Sequence, residues 1–194
     1  MSTDAARRFS QERKDAATAC EPAVRACLRD YYDVPDSRVV SAEHGREGAY
    51  ETEGDYRATD LLDYAGVDWL VDARPEIVPV GERLRPNTEG RRDFSLRLEN
   101  GTSRPCEADR LPAGLARGLA PEALLFGWRS GETLDRAWLL DCQRLVEAVT
   151  FDEVTVDRRE SGDGTVAGYI GVGELVAADC VLDSWDALEE VSGE

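Results

Sequence analysis

The sequence has little of what most metal and nucleophile chemistries require. Its single histidine, His44, lies in a polar, glycine-containing stretch with no nucleophile motif beside it. A zinc site of the usual Cys/His type is therefore not expected, nor is a Ser-His-Asp or Cys-His centre. Cysteine is sparse and odd in number: Cys20, Cys27, Cys106, Cys142 and Cys180, with no Cys-x-x-Cys pair. Free, buried thiols in a reducing compartment are the expectation. A run of about 18 consecutive apolar residues, enough to cross a bilayer, occurs nowhere. The N-terminus also lacks the apolar segment of a signal peptide. The reading is a soluble, cytoplasmic protein with no membrane partner.

Lysine is almost missing. Lys14 is the only one, so arginine supplies the other 22 of the 23 basic residues, against 40 acidic ones and a net charge of -17. In dilute buffer such a surface repels itself and weakens the compact state. At molar salt the Debye length falls to about 3 Å and the repulsion is screened. The acid is spread along the whole chain rather than gathered in a tail. In this it resembles the cytosolic proteins of salt-accumulating haloarchaea and their viruses, which implies high KCl as the working solvent.

What is present is enough for a core. The chain has 194 residues, 42% of them hydrophobic, which suits one domain without disulfide support. Residues 1–20 are polar and helix-compatible, and residues 21–194 read as a single α/β domain. Glu21-Pro22 opens a helix to Tyr32, and Pro35 ends it. A short strand at Arg38 to Val40 and a short helix from Thr59 to Tyr64 follow. Strands are expected at Val67–Val71, Ile77–Leu84 and Phe94–Leu98, then a helix over Pro112–Leu119. Ala123–Trp128 and Leu134–Leu140 form a hairpin across Arg129-Ser130-Gly131-Glu132. A helix over Asp141–Val149 follows, with Leu145, Val146 and Val149 inward. A second hairpin joins Val154–Arg158 to Thr165–Ile170, before a short helix at Glu174–Ala178 and a strand at Cys180–Leu182. The expected fold is α/β, with a central mixed, mostly antiparallel sheet and short flanking helices.

The stretch with most chemical content runs from Asp60 to Arg97. A short helix ends in Gly66, a strand carries Asp68, and a second strand, Val78-Pro-Val-Gly-Glu82-Arg83-Leu-Arg85, returns beside it. Two carboxylates on neighbouring strands can share a hard cation such as Mg²⁺. Such an ion polarises a phosphate and acidifies a water, while a nearby cation steadies the developing charge. This order of elements resembles the core of the restriction-endonuclease-like PD-(D/E)XK nucleases. The resemblance implies a Mg²⁺-dependent endonuclease acting on DNA, with Asp68 and Glu82 as metal ligands and Arg83 (or Arg85) on the scissile phosphate. The pattern departs from the family in two ways. Glu82 and Arg83 are adjacent, so they cannot share a face of one strand, and an arginine cannot act as a base.

The same residues also fit a polar sheet face, alternating with Val67, Trp69, Val80 and Leu84 inside. The alternative is thus a non-catalytic structural or interaction protein on the same scaffold, with a protein partner. Asp60 and Asp63 read as a solvated helix face, and the pairs Arg91-Arg92 and Arg158-Arg159 as surface charge. A net charge of -17 opposes DNA binding except through a local arginine patch.

Overall fold

The computed structural model describes residues 3–42, 66–87, 93–99, 106–162 and 164–186, with side chains along the first helix described from Thr18 onward and at Asp15. The expected helix over Thr59–Tyr64 falls outside them, as do His44, Asp60, Asp63 and Arg91-Arg92. Among the described residues, no helix is long and apolar enough to cross a membrane.

The chain opens with one 30-residue helix, α1 (Thr3–Tyr32). Pro22 therefore does not start a helix as expected but lies inside one. A proline lacks one N–H donor and stiffens φ, and this helix continues through it. What holds its C-terminal half is burial: Cys20, Val24, Cys27 and Leu28 recur at helical spacing and are fully or almost fully buried. Asp33 at positive φ ends it, and a single 3-10 turn, Asp36–Arg38, leads into the sheet.

Among the described residues, nine strands follow in two sheets. The larger orders β1 (Val39–Ser41), β2 (Trp69–Asp72), β3 (Ile77–Pro86), β5 (Ala123–Ser130), β6 (Thr133–Asp141) and β9 (Val181–Asp186) from edge to edge. The smaller orders β4 (Asp93–Glu99), β8 (Val166–Gly171) and β7 (Asp157–Glu160). Every pairing is antiparallel except β3 with β5. The sheet is thus mixed and mostly antiparallel, as expected. The split into two sheets, and the length of α1, were not expected.

The described residues also form three shorter helices: α2 (Glu107–Leu115), α3 (Cys142–Thr150) and α4 (Val172–Ala177). The expected helix start at Pro112 gives way to one five residues earlier. Cys106 takes the N-cap, and the Asp109 carboxylate reaches back to its amide at 3.1 Å, satisfying an orphan donor. In α3 the buried positions are Cys142, Leu145 and Ala148, with Val146 and Val149 half-buried. The Asp141 side chain caps the Arg144 amide at 2.9 Å.

The large sheet separates two cores. On one face, α1 packs Val24, Cys27 and Leu28 onto Val39, Trp69, Val71, Val80, Leu125 and Leu139. On the other, Phe126, Trp128 and Leu140 meet Phe94, Leu96 and Ile170 of the small sheet, with Leu145 and Leu175 from α3 and α4. Edge-to-face contacts run through this second core, Phe94 to Phe126 to Trp128 to Trp138, at centroid spacings of 5.1, 4.6 and 4.9 Å. Successive residues of β3 alternate between the two cores. That alternation decides the site.

Candidate functional site

Asp68 sits where β2 begins. Its amide donates to the Val80 carbonyl at 2.9 Å, and its own carbonyl accepts from the Ala42 amide at 2.8 Å. The ladder that pairs Trp69 with Val80 therefore fixes Asp68 beside Gly81 and Glu82. One carboxylate oxygen of Asp68 accepts the backbone N–H of Glu82 at 2.6 Å. Glu82 in turn accepts the indole N–H of Trp69 at 2.8 Å. Each acid accepts a donor from the neighbouring strand, Asp68 the Glu82 amide and Glu82 the Trp69 indole.

Trp69 is the hinge of this arrangement. It is 1% exposed, so its N–H needs a partner, and Glu82 is in reach because β2 and β3 are antiparallel neighbours. The Arg25 guanidinium of α1 lies over the indole ring, 5.3 Å from its centroid, and also donates to the Val39 carbonyl. Glu82 is thus tied to the α1 side of the sheet, the side of Val80 and Leu84.

Arg83 faces the other way. It pairs in register with Phe126 of the second core, and its guanidinium donates to Glu107 at the start of α2. Glu107 also accepts the Arg97 amide of β4 at 2.8 Å. Burial acts to raise the Glu107 pKa, but the Arg83 charge and the Arg97 amide outweigh it and hold the carboxyl below its usual range. Arg85, two residues on, shares Arg83's face and pairs with Trp128. Arg83 therefore stands across the sheet from Glu82. The reason is the strand's own pleat, which sends adjacent side chains to opposite faces.

Among the described residues, no group of three or more His, Cys, Asp or Glu side chains is close enough to hold a metal ion. The sequence reading did not find Trp69 as a donor or Glu107 as the partner of Arg83. Trp69 could have been suspected from its place one residue after Asp68 in a hairpin. Glu107 carries no local signal, since it lies 24 residues from Arg83. Comparison with family models, with curated proteins and with solved structures gave no match.

Proposed function

We propose that this chain is a non-catalytic interaction protein built on a nuclease-like α/β scaffold. One observation carries the reading. The acids that would bind a metal are engaged as acceptors for the Glu82 amide and the Trp69 indole, and the basic residue that would hold a phosphate lies on the opposite face of β3 in an ion pair with Glu107. A carboxylate that accepts a buried donor stabilises the fold, and displacing it leaves that donor unsatisfied. The same reading makes molar KCl the working solvent, because only there is the acidic surface screened.

The adjacency of Asp68 and Glu82 favours a second reading, a Mg²⁺-dependent DNA nuclease. The described residues do not complete a donor set for it.

The two readings separate in one experiment. Plasmid and single-stranded DNA are incubated with the protein in molar KCl and MgCl₂ or MnCl₂, with melting temperature followed in parallel. The interaction reading expects no cleavage and no metal-dependent rise in melting temperature. Cleavage by the wild type that disappears in both Asp68→Asn and Glu82→Gln would establish the nuclease instead.

A further inference from the structure

Among the described residues, β4 is hydrogen-bonded only to β8 and forms one edge of the small sheet. Backbone groups along such an edge need partners from elsewhere, and a covering helix is one way to supply them. The start of α2 meets two of them. The Glu107 carboxylate accepts the Arg97 amide at 2.8 Å, and the Cys106 thiol donates to the Leu98 carbonyl at 2.8 Å. Glu107 also accepts the Arg83 guanidinium, so one carboxylate fastens α2 both to β4 of the small sheet and to β3 of the large one. Apolar burial adds little to this attachment. None of the nine residues of α2 is buried, and Ala108, packed against the second core, is only partly so.

We propose that α2 is a detachable cover over the β4 edge, held closed by ionised Glu107 and released, ahead of the rest of the fold, when acid neutralises that carboxylate. An element with few buried apolar contacts is the kind that opens on its own. Neutral Glu107 no longer balances Arg83, whose side chain is 17% exposed and whose buried Nε makes no hydrogen bond among the described residues. A buried cation stripped of its counter-charge is costly, and outward movement of α2 rehydrates it. The surrounding charges set the direction. Arg83 of β3 and Arg97 of β4 act on Glu107 and favour its ionised form. Of the other charged groups nearby, Glu99 of β4 pairs with Arg158, Arg144 and Glu147 of α3 engage Glu153 and Gln143, and Asp109 of α2 itself accepts from Cys106. Glu107 therefore stays ionised and the cover closed at neutral pH. Its hold is lost as pH falls below the ordinary 4.5 through the lower folded value.

The test is hydrogen exchange of the full chain in molar KCl, read by mass spectrometry from neutral pH to below 4.5 and corrected for the intrinsic pH dependence of exchange. Peptides spanning α2 should lose protection by about tenfold relative to those of β5 and β6, the factor for exchanging a charged hydrogen-bond partner for a neutral one. Glu107→Gln should show that loss already at neutral pH. In the same variant Cys106, at the helix cap, should become open to alkylation at pH near 8 while Cys20, Cys27, Cys142 and Cys180, all buried, stay blocked. The proposal is overturned if α2 is unprotected at neutral pH, keeps its protection in acid, or loses it only together with β5 and β6. A Glu107→Gln variant as protected at α2 and Cys106 as the wild type would overturn it as well. The acid series needs no substitution, so it decides the matter should that variant fail to fold.

Discussion

The Trp69 indole N–H and the Glu82 carboxylate, 2.8 Å apart, show how a residue pair can look catalytic and serve the fold. Trp69→Phe keeps the ring under Arg25 and removes only the donor. It should cost about 1.5–3 kcal/mol by chemical denaturation, the range for a hydrogen bond to a charged group. Asp68→Asn and Glu82→Gln keep an acceptor oxygen and should cost less than Asp68→Ala, which strands the Glu82 amide. Equal losses for Asn and Ala would show that the negative charge, not the acceptor, matters. Glu107 is a second residue-scale test. Its folded pKa is depressed below the ordinary 4.5, so its contribution is complete above that pH and is lost as pH falls through the lower folded value. Melting temperature measured from neutral pH down through 4.5 should fall in the acid limb, and Glu107→Gln should flatten that limb. The thiols offer a third. All five cysteines are free and buried, and burial pushes Cys27 and Cys142 up to about 12. Native protein at pH near 8 should resist alkylation until unfolded, because the thiolate is the reactive form.

Elements obey their own limits. The β5–β6 turn is tight because Ser130 pairs with Thr133 across Gly131, whose φ of 61° suits glycine. Inside β5, Gly127 has a different reason to be glycine. A Cβ there would sit 2.8 Å from Leu134 Cδ1 and 2.9 Å from the Arg136 carbonyl oxygen. Backbone cannot retreat as a flexible side chain can, so Gly127→Ala should destabilise by about 1–3 kcal/mol in urea unfolding. A neutral result would mean that β5 and β6 can separate locally. Much of this level was legible. Alternating apolar residues marked β2 and β3, and the Arg-Ser-Gly-Glu stretch between two apolar runs marked the hairpin. Pro22 and Pro112 misled for one reason: each reads locally as a helix start, yet each sits inside a helix whose ends are set elsewhere, by Asp33 beyond α1 and by Cys106 before α2.

The described residues form a sheet with α1 on one face and, on the other, a smaller sheet with apolar side chains from α2, α3 and α4. Its stability must offset the repulsion of a net charge of -17. Surface ion pairs contribute little in such a setting; Arg158–Glu99 and Arg159–Asp157, for instance, are both largely exposed. Screening by the solvent is the larger effect, so melting temperature should climb steeply between dilute buffer and molar KCl. A flat or falling profile in circular dichroism would reject the proposal that the chain is built for high salt.

By itself the sequence determined the chemistry of the surface, the absence of a paired-cysteine framework, the α/β class and most strand positions. Those depend on composition and on short-range periodicity. It also placed Asp68 and Glu82 on neighbouring strands, because a hairpin is a local structure and its register follows from the pattern of buried residues. Tertiary structure decided the rest. The parallel pairing of β3 with β5 and the departure of β4 to a second sheet both depend on contacts between distant segments. So does the partner of Arg83: only the packing of α2 beside β4 and α3 brings Glu107 to the far face of β3. Glu82 and Arg83 are neighbours in the chain, but the pleat puts a whole sheet between their side chains, and each is completed by residues that the other never meets.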